Sequence, residues 1–332
     1  MVVNTHVQLT HEGGMNVSNM IEAQALTKRY NGTPDPAVDE VSFVVREGEI
    51  FSLLGPNGAG KSTTLSMLSC LLKPTSGDAL IDGASILQAS QKVKAVIGVV
   101  PQEIALYPKL TAYENLIFWG RLYGMGGKAL RKRVDDVLDM TGLRERAKDR
   151  VETYSGGMQR RINIGVGLLH EPKVIYMDEP TVGIDPQSRR SILDTVKSLN
   201  EQGMTVLYTT HYMEEAQELS DRIGIIDHGE MIALGTQREL TELVGEQDVV
   251  EMHIAEETSR PEVVEALGRV PGVHQVQPLN GTLRLFVDDG NAILPALITA
   301  ANTQDAKITS ASIQEPNLEA VFLHLTGRAL RN

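Results

Sequence analysis

One loop in the chain has residue types suited to holding phosphate: Gly55-Pro56-Asn57-Gly58-Ala59-Gly60-Lys61-Ser62-Thr63. It fits G-x-x-x-x-G-K-[ST], follows the apolar run EIFSLL (49–54), and opens a helical pattern beginning near Ser62. Glycines let successive backbone N–H groups turn inward around an anion with no Cβ in the way. Lys61 is spaced to reach the β- and γ-phosphates of a nucleotide, and Ser62 to offer a hydroxyl to Mg2+. The helix N-terminus beneath adds partial positive charge. A glycine-rich loop with a coincidental lysine is the competing reading, and the strand–loop–helix placement counts against it.

A pair of carboxylates supplies the second element. The run KVIYMD (173–178) ends in Asp178, followed by Glu179. Ligands of open α/β sheets bind outside the carboxyl ends of the strands, where this pair falls. Asp178 is then expected to hold Mg2+ through water, and Glu179 to act as base or to position the water that attacks the γ-phosphate. A solvated Asp-Glu turn is the competing reading, and the loop upstream counts further against it. His211 follows TVLYTT (205–210), also at a strand end. An imidazole there could bond the γ-phosphate and sense its loss. A lone histidine is more often a satisfied structural residue; its level with Lys61 and Asp178 favours the functional reading.

Such a site needs a layered scaffold. Five near-continuous apolar runs, EIFSLL, AVIGVV (95–100), KVIYMD, TVLYTT and RIGIID (222–227), read as strands covered on both faces. Helical patterns separate most of them, which predicts an α/β domain with a largely parallel sheet over about residues 20–240. Residues 103–160 read mainly as helix, an insertion within that core. Residues 1–19 are polar and aperiodic and read as a loose tail, and 241–247 as a linker. Beyond, 248–330 follow the order β-α-β-β-α-β of a small ferredoxin-like unit.

Composition narrows the classes. The 332 residues carry 31 Lys+Arg against 43 Asp+Glu, a net charge of −12. That balance argues against a broad grip on nucleic-acid phosphates. Twelve acidic and six basic residues in 244–332 supply half of the net charge. The single cysteine, Cys70, allows no internal disulfide and fits a reducing compartment; its neighbours Leu68, Leu71 and Leu72 make it a core residue. No apolar run approaches the roughly 18 residues a spanning helix needs, and no signal peptide is expected. His253, His274 and His324 lack metal-ligand spacing, and Trp119 reads as a packing residue.

Taken together these motifs resemble the ATP-binding subunits of ATP-binding-cassette (ABC) transporters. Tyr154-Ser155-Gly156-Gly157-Met158-Gln159 looks like the family signature, Gln102 like the Q-loop glutamine, Val182-Gly183-Ile184-Asp185-Pro186 like the D-loop, and His211 like the switch histidine. Tyr30, 25 residues before Gly55, stands where an aromatic stacks on adenine. The resemblance implies ATP as substrate and Mg2+ held by Ser62, Gln102 and Asp178. It implies catalytic roles for Glu179, His211 and Gln102, with Asp185 in the D-loop. It further implies that Ser155, Gly156, Gly157 and Gln159 serve the ATP of a second ABC ATPase subunit, a copy or a paralogue. One loop and one signature per chain then demand a pair, whose closure around two ATP molecules would drive a separate multi-spanning permease. No nucleic-acid partner is implied.

Outside the shared core, PQEIALYPKLTAYENL and QEPNLEAVFLHLTGR look like the ATPases of ABC-2-type exporters, including the daunorubicin-resistance group. The implied location is cytoplasmic, on the cytosolic face of the membrane, with residues 103–116 receiving the permease. Tyr154 and Met158 depart from the usual Leu and Gln of the signature. Gly165 and Gly167 in its helix each cost about 1 kcal/mol relative to Ala, which points to close packing. The competing function is a soluble, non-transport ABC ATPase of DNA repair, chromosome organisation or translation. Such proteins usually carry coiled-coil insertions, tandem ATPase domains or basic surfaces, none of which is visible.

Overall fold

The computed structural model describes residues 18–243, 248–255, 260–279, 282–314 and 318–326. Residues 1–17 of the expected tail and 244–247 of the expected linker lie outside the described residues. Strands β1 (Asn19–Lys28), β2 (Val38–Arg46) and β3 (Ile50–Leu54) lead into α1 (Lys61–Leu68). Strands β4 (Ser76–Ile81) and β5 (Ala84–Ser85), helix α2 (Ser90–Val96) and β6 (Ile97–Val100) follow. Three helices then run in succession, α3 (Ala112–Leu122), α4 (Gly127–Met140) and α5 (Gly156–Leu168). The domain closes with β7 (Val174–Asp178), α6 (Pro186–Glu201), β8 (Thr205–Thr210), α7 (Met213–Leu219), β9 (Arg222–Asp227), β10 (Glu230–Gly235) and α8 (Gln237–Leu243).

The five apolar runs of the sequence become the five parallel strands. The six-stranded sheet has the order β10-β9-β3-β8-β7-β6, parallel except for the antiparallel edge β10. Every residue of β3 and β8 is buried, the pattern of strands covered on both faces. One face packs against an antiparallel sheet of order β2-β1-β4-β5, where the rings of Phe43 and Phe51 stack at 5.2 Å. The other face meets helices through Ile175, Met177, Val206 and Tyr208. Parallel register pairs Leu54 with Thr210 and Thr209 with Asp178, so the carboxyl ends of β3, β8 and β7 finish level.

Between β6 and β7 the chain is helical. A capping box starts α3: the Thr111 hydroxyl accepts the Glu114 amide at 3.1 Å, while the Glu114 carboxylate accepts the Thr111 amide at 2.9 Å. Helix α4 buries Leu130, Val134, Val137 and Leu138 at helical spacing. The glycines of α5 have a packing reason. A Cβ on Gly165 would lie 2.8 Å from Val137 Cγ1, and one on Gly98 of β6 would lie 2.3 Å from the Gly167 carbonyl oxygen. The close approach of α5 to β6 offsets the helix-propensity cost.

The C-terminal unit comprises β11 (Asp248–Ile254), α9 (Pro261–Gly268), β12 (Val273–Leu279), β13 (Thr282–Val287), α10 (Gly290–Thr303) and β14 (Ile308–Gln314). Its sheet, order β12-β13-β11-β14 and antiparallel throughout, is the ferredoxin-like arrangement. Val250, Leu285, Leu267 and Leu297 are among its core. The last helix, α11 (Leu318–Thr326), does not join that core. Its Leu318, Val321 and Phe322 pack with Leu54, Met213, Ala216, Ile223, Ile225 and Leu240 of the ATPase-type core. The range 248–330 therefore divides by packing, because the apolar face of α11 is buried on α7, α8 and β9.

Two substitutions test this packing. Phe322→Ala removes a ring that is 1% exposed and should cost about 3–5 kcal/mol, read as a lowered denaturation midpoint of the larger domain. Gly98→Ala forces β6 and α5 apart and should cost about 1–3 kcal/mol in the same measurement.

Candidate nucleotide site

The glycine loop joins β3 to α1, and its backbone explains its residues. Gly58 and Gly60 have φ of +81° and +105°, in the left-handed region that glycine adopts without strain. A Cβ on Gly55 would fall 2.1 Å from the Ile226 carbonyl oxygen, and one on Gly60 2.6 Å from that of Ala37. Gly60 caps α1, which starts at Lys61, one residue earlier than the periodicity indicates. Lys61 is 4% exposed. Its ammonium donates to the Gly55 and Pro56 carbonyls at 2.6 and 3.0 Å and pairs with Glu179 Oε1 at 3.0 Å.

The strand ends bring the other groups to the same place. Ser62 Oγ donates to Asp178 Oδ1 at 3.0 Å, and Thr209 Oγ1 donates to the same oxygen at 2.7 Å. The Thr209 hydroxyl also accepts the Glu179 amide at 3.0 Å. His211 Nδ1 lies 3.3 Å from Glu179 Oε2, without the alignment of a hydrogen bond. Glu179 is 6% exposed and has φ of +44°. A non-glycine residue in this left-handed region carries backbone strain of about 1–3 kcal/mol. Asn57, Lys61, Ser62, Gln102, Glu179 and His211 face one cleft of about 360 Å3.

Other expected site residues stand apart from that cleft. Ser155 caps α5, its hydroxyl accepting the Met158 amide at 3.3 Å, and Gly156 and Gly157 form the first turn of the helix. A Cβ on Gly157 would meet Ser188 Cβ at 2.2 Å, so this helix end lies against the start of α6. Gln159 turns back, donating to the Val151 and Tyr154 carbonyls at 3.3 Å each. Tyr154 earns its place over leucine with a 2.6 Å hydrogen bond to the Arg146 carbonyl. Asp185 caps α6, accepting the Ser188 amide at 2.9 Å, and its hydrogen bonds from Ser188 hold its carboxyl below the usual range. Tyr30 is 42% exposed, with the Lys28 ammonium 5.5 Å from its ring centre.

Several supporting residues were not picked out by the sequence. Arg160 on α5 is buried, and its guanidinium donates to the carbonyls of Pro101 and Gln102 at 2.8 and 2.6 Å. Burial pushes that guanidinium below its ordinary value. Asn163, one turn on, accepts the Ala105 amide at 3.1 Å. Together they tie the segment around Gln102 to the helix that Ser155 caps. Thr209 and Thr210 were legible only as two hydroxyls at buried positions of an apolar strand, where each demands a partner. Glu215 is a buried carboxylate on α7, and the polar face of a short helix concealed it.

The chain is similar to known proteins. Residues 38–182 match the ABC transporter family. The linearmycin resistance ATP-binding protein LnrL of Bacillus subtilis is 48% identical over 314 residues, covering 94% of this chain and 100% of LnrL. The doxorubicin resistance ATP-binding protein DrrA of Mycobacterium tuberculosis is 39% identical over 311 residues, covering 92% of this chain and 93% of DrrA. Among solved structures, the dimeric post-hydrolysis ATP-binding cassette MJ0796, bound to ADP and Pi, superposes with a TM-score of 0.59. It is 33% identical, over 65% of this chain and 98% of that one. With a phosphate loop, paired carboxylates and a histidine meeting at the ends of parallel strands, and with relatives matching along nearly its whole length, the chain belongs to the ABC transporter family as one of its ATP-binding, ATP-hydrolysing members.

Proposed function

We propose that the chain powers an exporter of antibiotics or other lipophilic small molecules, as one of two ATPase subunits beneath a separate multi-spanning permease on the cytosolic face of the membrane. The observation that carries this reading is the split between the two phosphate-binding elements. Lys61, Glu179 and His211 face one cleft, whereas Ser155 and Gly156 open a helix outside the lining of that cleft. An open helix N-terminus suits an anion, so a second chain facing the cleft would complete the site. The resistance proteins LnrL and DrrA, similar over almost the full length, support the exporter reading and count against a non-transport ATPase. Among the described residues, no helix is long and apolar enough to cross a membrane.

The placement of these residues, with Tyr30 outside the lining of the cleft, supports the following roles. The loop amides and Lys61 hold the β- and γ-phosphates, and Tyr30 offers a ring to adenine. Glu179 takes the proton of the attacking water, and His211 bonds the γ-phosphate. Ser62, Asp178 and Gln102 offer oxygen donors only, the set a hard cation prefers, and Ser62 and Asp178 are already in contact. Mg2+ held there would neutralise charge on the transferred phosphoryl group. For the permease, Ile104 and Tyr107 expose apolar surface at 36% and 46% within the 103–116 segment.

Glu179→Gln keeps the shape of the site and removes the base. It should bind ATP, turn over at least about a hundredfold more slowly, and accumulate as a dimer on size-exclusion chromatography with ATP. Turnover near normal would remove Glu179 from the catalytic role. Lys61→Ala should instead weaken nucleotide binding, read by titration with a fluorescent ATP analogue. Ile104→Asp should lower the share of the chain that co-purifies with a multi-spanning membrane protein; undiminished co-purification would take the docking surface elsewhere.

A further inference from the structure

Glu215 is 2% exposed, and the hydrolysis mechanism does not use it. Its carboxylate accepts three hydroxyls, from Thr181 at 2.6 Å, Tyr208 at 2.9 Å and Thr210 at 3.0 Å. A buried carboxylate is costly to keep unless its oxygens are filled, and here both are. The nearest cation is Arg189, whose Nε stands 3.6 Å away while its guanidinium lies 4.4 Å from the centre of the Tyr212 ring.

The donors come from separate parts of the chain. Thr181 is two residues beyond Glu179, in the turn that holds Glu179 at positive φ. Tyr208 and Thr210 belong to β8, immediately before His211. Arg189 sits on α6, four residues beyond Asp185. The Thr210 hydroxyl, while donating to Glu215, accepts the Tyr212 amide at 2.9 Å and so fixes the turn that carries His211. The Tyr212 ring in turn lies 4.2 Å from that of His211. One carboxylate thus joins the loop of the base to the loop of the histidine.

We propose that Glu215 is a positioning residue for ATP hydrolysis: by gripping Thr181 and Thr210 at once, it sets the spacing between Glu179 and His211. The inference rests on the roles given above to those two residues. Loss of the grip leaves the glycine loop and Lys61 in place, so it slows turnover and spares ATP binding. Glutamine at this position can still accept Tyr208 and Thr210 on its oxygen and donate to the Thr181 hydroxyl from its amide.

The test uses the full chain, four single variants and one double variant. Glu215→Ala should lower kcat at least about thirtyfold with KM for ATP within threefold, and Glu215→Gln should restore it to within about fivefold. Because alanine leaves a hole, Thr181→Val serves as a nearly isosteric second variant, expected to lower kcat about tenfold at unchanged KM. Combined with Glu179→Gln, Thr181→Val should slow the residual turnover no further. Normal kcat in Thr181→Val and in folded Glu215→Ala overturns the proposal. So does a rise in KM matching the fall in kcat, or full additivity with Glu179→Gln. Failure of the underlying reading is a separate result, since Glu179→Gln alone would then turn over normally.

Discussion

A carboxylate nearly out of water needs a cation or hydrogen bonds that fill its oxygens, and Glu179 has a cation in Lys61, 3.0 Å away. An uncompensated charge at this depth would cost several kcal/mol, so the two side chains constrain each other. The pairing works only if β3 and β7 end at the same height, with β8 between them. Parallel register delivers this, aligning Leu54 with Thr210 and Thr209 with Asp178. Thr209 then binds both the Asp178 carboxylate and the Glu179 amide, where the Glu179 backbone lies in the left-handed region that L residues adopt at a cost. The glycine loop, the two carboxylates and the histidine are thus one object, built on the edge of three strands.

A second set of bonds extends that object into the helices. Arg160 holds the carbonyls of Pro101 and Gln102, and Asn163 holds the Ala105 amide, from a helix whose first turn contains Gly156 and Gly157. Hydrogen bonds from a charged donor are worth about 1.5–3 kcal/mol each, more than a typical neutral pair. Helix α5 cannot move far from the Gln102 segment without breaking two of them. The packing is correspondingly close, since Gly98 and Gly167 meet with no room for a Cβ. Gln102, in the cleft, is therefore mechanically joined to the helix end that stands outside it.

Much of this was legible in the sequence because the signals are local. The parallel strands announced themselves as unbroken apolar runs, and the phosphate loop as glycines whose positive φ no other residue supplies cheaply. The βαββαβ order of the C-terminal unit was readable from alternation and spacing. What escaped was non-local. Nothing in the spacing of Arg160 or Glu215 says which carbonyl or hydroxyl lies opposite, because Arg160 reaches carbonyls 58 and 59 residues away and Glu215 takes one of its hydroxyls from 34 residues away. The path of α11 was hidden for the same reason. Its apolar face fits either core, and only the three-dimensional fold decides that Leu318, Val321 and Phe322 rest on α7, α8 and β9.

Helix α7 shows what that decision entails. Seven residues make about two turns, too few for a helix to hold itself together in water, so contacts on its faces must fix it. Glu215 points one way, into the hydroxyls of Thr181, Tyr208 and Thr210. Met213 and Ala216 join the apolar cluster shared with α11. His211 precedes this helix by two residues, and its place beside Glu179 is set by where the helix lies. The polar grip fixes the distance from Glu179, and the apolar contact fixes the height of the helix above the sheet. A buried ion pair at the centre of the site, a hydroxyl-filled carboxylate one shell out and a C-terminal helix beyond that are successive supports of one imidazole.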